Sequence, residues 1–433
     1  MLNIFDSKNS LPALILFVKV IVAVLVSACV KYPLHGINFS PFTGENQHPN
    51  WTVITEEELQ QKLGTITPFT NWVRTFGCKR GLEKVAELAR ARGKKTAIGA
   101  WISADLNANN EEIQSLIQLL QKGVVDLAVV GSETLLRGDL TEAQLISYIN
   151  QVKAHAKGVP VTTGEIYQNY ISRPALVEAC DVVFVNIYPY WEGIDVNYAM
   201  YYFDIRFEEL QKAVGNKKII ISEVGWPSEG NTIGEAVPTL ENARFFFINF
   251  VSWAEAKGAE YFYFEAFDEP WKWTSENPQE AHWGIFDKSG KMKEGFLDVF
   301  RGVRMGDNWS GTEKINGEGT PQIELTYIPP IGSEEFLVGK VSHVIPRHNR
   351  IAVYIFNGGG WWNKPYWNTP TILIMPDGEW KCDIVTHPSD VNATKIAVFL
   401  IPKEVAPPLM SGEPTIPQSF YESSLANVEV SRS

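Results

Sequence analysis

The chain has 433 residues, with 50 acidic against 38 basic side chains and a formal net charge of -12, and no block of Lys and Arg stands out. That balance argues against a nucleic-acid partner, because phosphate backbones recruit positive charge. The length exceeds one small domain and suits a barrel of about 250 residues plus a further module, while 14 Trp, 15 Tyr and 23 Phe supply flat amphipathic rings that fill a core, stack on sugars or sit at interfaces, among which composition does not choose.

Residues 1–30 read as a targeting segment. Lys8 precedes the apolar stretch Leu11–Ala28, which is interrupted only by Lys19 and closes as Val26-Ser27-Ala28-Cys29. This ending resembles the lipobox of bacterial lipoproteins, which implies lipidation of Cys29 after cleavage. An uncleaved signal anchor is the alternative, since the length reaches the lower end of what spans a bilayer. Either reading exports the remaining chain and gives it a membrane partner. Of the four cysteines, Cys29, Cys78, Cys180 and Cys382, none forms a CxxC pair, and no His cluster has ligand spacing. No metal or organic cofactor is expected, and at most one disulfide if Cys29 carries an anchor.

Strand and helix patterns then alternate, as a parallel barrel requires. His35–Pro41 is a first strand with Asn38 near its end. Thr55 and Glu58 stand in capping-box spacing before a helix over Thr55–Leu63. Asn71–Gly77, which contains Arg74, reads as strand two, Leu82–Arg92 as a helix, Thr96–Ile102 as strand three and Glu111–Gln121 as a helix. Val124–Val130 is a fourth, buried strand, and Glu133 follows three residues past its end. A helix over Thr141–Lys157 leads to strand five, Pro160–Glu165, and Val182–Tyr190 makes strand six. Asn186, Tyr188, Tyr190 and Trp191 crowd polar tips and rings at that strand's end, where barrel enzymes place function.

Lys217–Gly230, KKIIISEVGWPSEG, organises the rest. Three consecutive isoleucines, Ile219–Ile221, suit a strand buried on both faces, and the run stops at the carboxylate Glu223 beside Gly225, Trp226 and Pro227. An isolated Glu there is most often a cap or loop carboxylate. The string Ile219–Ser228, however, resembles without a gap the signature of glycoside hydrolase family 17, the β-1,3-glucanases and related glucanosyltransferases. The resemblance covers roughly residues 33–304. It implies a retaining glycosidase on a (β/α)8 TIM barrel, with Glu223 as nucleophile and, by the pattern of its clan, Glu133 as proton donor and general base. In that clan an asparagine precedes the acid and contacts the sugar 2-hydroxyl. Here the position is Ser132, which leaves that contact to water or to another group. Glu165 also ends a strand and ranks second for the acid. Asn38, Arg74, Ser132, Glu165, Asn186, Tyr188, Trp226, Glu265 and Trp271 are the candidate substrate contacts.

Asn242–Lys257 reads as an aromatic-laden helix, Glu260–Trp273 as strand eight with its loop, and Glu294–Arg304 as the closing helix. The expected organisation is a targeting segment over 1–30, a barrel over 31–305, a linker over 306–322, a small all-β, sandwich-like domain over 323–402 and an unstructured tail over 403–433. Strands are expected at Phe336–Val344, Ile351–Phe356, Thr371–Met375, Trp380–Val385 and Lys395–Ile401. The Trp-rich segment Gly358–Trp367 serves either a sugar-binding face or packing. The function expected is retaining hydrolysis of a β-1,3-glucan or similar β-glucan. Glucanosyl transfer is the alternative within the same chemistry, and an inactive glucan-binding lipoprotein the alternative outside it.

Overall fold

A computed structural model describes residues 30–433, so the targeting segment and Cys29 lie outside the described residues. The chain divides into two compact units, one ending at Asp307 and the other running from Asn308 to Ser433.

In the first unit eight parallel strands close a barrel in sequence order: β1 (Leu34–Asn38), β2 (Thr70–Arg74), β3 (Lys95–Ala100), β4 (Leu127–Ser132), β5 (Val161–Ile166), β6 (Val183–Asn186), β7 (Ile219–Val224) and β8 (Glu260–Tyr263). Closure is made by Gly36 opposite Phe262 and Ile37 opposite Tyr263. Ala97, Leu127, Val129, Phe184, Ile220 and Phe262 form one buried cluster, so the barrel is a packed core and its reactive end is the rim at the strand C-termini.

Outside lie α1 (Glu56–Ile66), α2 (Val85–Arg90), α3 (Leu106–Lys122), α4 (Glu142–Lys153), α5 (Tyr167–Ser172), α6 (Pro174–Ala179), α7 (Ala199–Val214), α8 (Leu240–Lys257) and α9 (Leu297–Arg301). The Thr55–Glu58 capping box forms at the start of α1 as the sequence pattern predicts. Several boundaries move, and two of the shifts have a clear local cause. Helix α3 starts at its Asp105 cap, well before Glu111, because the Asp105 carboxylate accepts from Asn107 N and Ala108 N. Strand β4 starts at Leu127 and not Val124, because Val124 N still caps α3 by bonding Leu119 O. Glu133 therefore directly follows the last strand residue, Ser132.

The second unit holds two antiparallel sheets. One is ordered β13 (Glu379–Cys382), β10 (Leu337–Ser342), β9 (Gln322–Tyr327), and the other β15 (Ser411–Glu413), β12 (Gly360–Lys364), β11 (Asn349–Asn357), β14 (Lys395–Pro402), β16 (Ala426–Ser431). Leu337, Val341, Ile351, Val353, Trp380, Val398 and Leu400 are among the buried residues of its core.

Three expectations need correction. The tail is structured: β15, α10 (Gln418–Ser423) and β16 lie within 403–433, and β16 pairs with β14 from Lys395↔Ser431 to Leu400↔Ala426. Its alternating Ala426, Val428 and Val430 pack on the core, which overrides a Pro- and Ser-rich composition. The 306–322 segment is not a free linker, since Ile315 exchanges backbone bonds with Val344 O and His343 N. Thr371–Met375 forms no strand and keeps only the bridge between Ile372 and Ile351. Cys78, Cys180 and Cys382 are all free and buried, so none is joined in a disulfide. No helix among the described residues is long and apolar enough to cross a membrane.

Candidate active site

The site is built on the rims of β2, β4, β6 and β7. Arg74, the last residue of β2, is fully buried, and its planar guanidinium spends its donors in several directions. Nη1 donates to Asn38 Oδ1 at 2.8 Å, Ser222 O at 2.9 Å and Glu223 Oε1 at 2.9 Å, and Nη2 donates to Ser132 Oγ at 3.1 Å. Phe76 and Phe184 cover the guanidinium faces at 4.5 and 4.9 Å. The Ser132 hydroxyl passes its own hydrogen to Glu223 Oε1 at 2.8 Å, and the Tyr188 hydroxyl donates to Glu223 Oε2 at 3.0 Å. Glu223 is thus an acceptor held from three sides, with one buried counter-charge.

Two glycines allow this packing. A Cβ on Gly164 of β5 would stand 3.0 Å from Ser132 Oγ and 3.2 Å from Arg74 Nη2. One on Gly225, in the Glu-Val-Gly-Trp string, would stand 2.2 Å from Phe264 O.

Glu133 meets a different environment. Its backbone is left-handed at φ 55°, which turns the chain sharply off β4. Its N–H bonds Gly164 O at 2.7 Å, and its Oε1 accepts from Asn186 Nδ2 at 2.8 Å. Ser222 Oγ donates to Asn186 Oδ1, so a short polar chain joins the two glutamate positions through β6. Burial first and the charge of Glu223 second push the Glu133 carboxyl up from 4.5 to about 7, against the opposing Asn186 bond. Both carboxylates line one cleft of about 610 Å³, with Leu136, Tyr188, Trp191, Phe264, Glu280 and Trp283 among its walls.

The residues expected to touch substrate sort into three groups. Asn186 and Tyr188 line the cleft. Asn38, Arg74 and Ser132 lie beneath Glu223, and Asn38 is fully buried with its Nδ2 given to Ser222 O at 3.1 Å and Phe262 O at 3.3 Å. The other four do not line the cleft. Glu165 is fully buried and uses both oxygens, on Leu135 N and Asn169 Nδ2, each at 2.7 Å, so it braces the loop that carries Glu133. Trp226 is 1% exposed and bonds Val237 O, so it is a buried packing residue and not a sugar platform. Glu265 is buried in an ion cluster in which Lys272 Nζ lies 2.7 Å from it and 2.6 Å from Glu269. Trp271 stands beyond that cluster, with its Nε1 on Glu269 Oε1 at 2.8 Å.

Trp283, Phe264 and Glu280 were not singled out as contacts. Trp283 packs edge-on against Tyr188 at 5.3 Å and Phe264 at 5.6 Å, which forms an aromatic wall of the same cleft. The string His282–Phe286, HWGIF, contains Trp283 and is the local signal that could have found it. Glu280, whose carboxyl is pushed up by burial, comes from a short turn of 3-10 helix in a polar loop with no local pattern. No group of residues that could hold a metal ion occurs among the described residues.

Two glutamates, one directly after β4 and one on β7, share a cleft at the mouth of a closed parallel barrel, which is the paired-carboxylate arrangement that glycoside hydrolases of the (β/α)8 class use. The comparisons specify it further: the BtgE/BtgC glycoside hydrolase domain matches residues 36–284, more than half of the chain, and the protein belongs to that family. The resemblance to glycoside hydrolase family 17 is likewise borne out.

A probable glucan endo-1,3-beta-glucosidase btgC of Aspergillus fumigatus is 32% identical over 275 residues, 56% of this chain and 40% of that protein. The chain therefore spans about two fifths of such relatives. A glucan 1,3-beta-glucosidase of Saccharomyces cerevisiae is 28% identical over 56% of this chain and 85% of its own. A family 17 β-1,3-glucanosyltransferase structure from Rhizomucor miehei is 29% identical with a TM-score of 0.54, over 60% of this chain and 96% of its own.

Proposed function

We propose that this protein is a retaining glycosidase acting on β-1,3-glucan, with Glu223 as nucleophile and Glu133 as acid and base. The observation that carries the reading is the asymmetry of the two carboxyls in one cleft. Glu223 is met by Arg74, Ser132 and Tyr188, whereas Glu133 is held near 7 and so keeps a proton to give at neutral pH. Glu223 attacks the anomeric carbon as Glu133 protonates the departing glycosidic oxygen. A glycosyl-enzyme forms. Glu133, now a base, takes a proton from water, whose oxygen displaces Glu223 and retains the configuration.

Relatives whose names give β-1,3-glucosidase activity support the substrate class. A second reading, transfer to another glucan, is favoured by the transferase likeness and by the aromatic wall of Trp191 and Trp283, which offers an acceptor sugar a surface that water does not need. Product analysis on β-1,3-, β-1,3/1,6- and β-1,4-glucans tests both. Reducing ends from β-1,3-linked substrates support hydrolysis, longer products support transfer, and turnover that survives in Glu133→Gln and Glu223→Gln contradicts the site.

The segment 1–30 supports a further proposal, export with a lipid on Cys29 or an uncleaved anchor. Fatty-acid labelling that is lost in Cys29→Ser supports lipidation. An unlabelled, membrane-bound protein supports the anchor.

A further inference from the structure

We infer that the barrel carries a second glucan-binding surface outside its cleft, an aromatic ledge made by Trp51, His48 and Trp271; this rests on the glucanase reading. The β1–α1 loop brings His48 and Trp51 to the same rim as the loop after β8, which carries Trp271. The Trp51 and His48 rings stack with centroids 3.9 Å apart and planes at 6°. His48 in turn stands edge-on to Trp271 at 4.9 Å and 69°. Trp51 is 65% exposed, so one side of its indole backs on His48 and the rest faces solvent.

Such exposure costs hydration for no gain in core packing, yet the loop is built to hold it. Trp51 N and Thr52 N bond His48 O, His48 N bonds Thr52 Oγ1, Asn50 N bonds His48 Nδ1, and Gln47 is tied to Glu58 of α1 at 3.0 Å. A ring fixed in this way loses little freedom when a ligand settles on it.

The ledge is continuous with the cleft. Trp271 neighbours Lys272, whose ammonium lies 4.6 Å over the ring of the cleft residue Phe264 and 5.7 Å from the Trp271 ring. A chain leaving the cleft past Phe264 crosses over the largely buried Lys272 cluster and then meets two indoles. The apolar faces of glucosyl rings match indoles, while their hydroxyls suit the half-buried His48 and the exposed Asn50 on the same loop. The occupant is therefore the distal part of a β-glucan polymer, several units from the cut bond.

Two measurements test this. First, Trp51→Ala is assayed on polymeric β-1,3-glucan and on short laminari-oligosaccharides. The expected result is a rise in KM for the polymer of roughly two- to tenfold with kcat kept, no change on the short substrates, and recovery of most of the loss in Trp51→Phe. An unchanged polymer KM, or an equal loss on short substrates, overturns the ledge. Second, binding to insoluble β-1,3-glucan is measured in the Glu223→Gln background with and without Trp51→Ala. Weaker binding on loss of Trp51 supports the ledge even if the wild type cleaves nothing, an outcome that would sink only the hydrolase reading. Equal binding of the two variants overturns the ledge even if the wild type is active.

Discussion

Ser132 Oγ donates to Glu223 Oε1 at 2.8 Å while accepting from Arg74 Nη2 at 3.1 Å, so the residue that precedes the acid on β4 serves the carboxylate on β7. An asparagine at that place was expected to reach the sugar. In this chain the short hydroxyl is engaged below the cleft floor. Ser132→Ala removes one of three donors to Glu223 and leaves the buried Arg74 Nη2 without its acceptor, so it is expected to lower kcat by about three- to tenfold and to cost about 1–3 kcal/mol in stability. Steady-state kinetics beside a thermal melt reads both. An unaltered kcat means that the hydroxyl does not assist the nucleophile.

Arg74 is a sharper case. It is a fully buried cation whose charged partner is Glu223, 2.9 Å away. Lysine cannot reproduce a planar fork that reaches Asn38, Ser222, Glu223 and Ser132 together. Arg74→Lys is expected to cost on the order of 2–4 kcal/mol in stability and most of the activity. Denaturant unfolding measures the first. A variant as stable as wild type shows that the network contributes nothing.

The pH dependence follows from Glu133. As the acid it must be protonated, so kcat/KM is expected to fall as pH rises through about 7. The charge of Glu223 is the second cause of that raised value, after burial. Glu223→Gln should therefore lower the Glu133 titration midpoint, followed by carbon NMR of its carboxyl. A midpoint that does not move contradicts electrostatic coupling between the two groups.

The same shift fixes a stability effect. A carboxyl raised from 4.5 to about 7 favours the folded state in its protonated form, so its contribution is fully present below pH 4.5 and is lost as pH rises through 7. Glu133→Gln, which stays neutral, is expected to match wild type near pH 4 and to exceed it above pH 7, by roughly 3 kcal/mol at most. Unfolding curves at the two pH values check the crossover. Equal stability at pH 8 removes the claim that Glu133 is ionised there at a cost.

Much of the barrel was legible because buried parallel strands write uninterrupted apolar runs such as Ile219–Ile221 and end at polar rim residues. Helix α7 was not, since Ala199–Val214 is aromatic on most sides and buried on most sides, without the stripe that marks a surface helix. The two glutamates were visible through the local string at Glu223 and the strand end at Glu133. Their support was less so. Whether Trp226 faces a sugar or the α8 ring Phe246, 5.4 Å away, is decided by tertiary packing that no local pattern encodes. The tail was misjudged because composition says nothing of a waiting edge, and β14 offers β16 one.

Proton NMR of the first products released from a β-1,3-glucan oligosaccharide tests the paired action of Glu133 and Glu223 most directly. The β-anomer should appear first and convert slowly to the α-anomer, because two displacements restore the starting configuration. If the α-anomer leads, water attacks in a single step, and Glu223 is not the nucleophile.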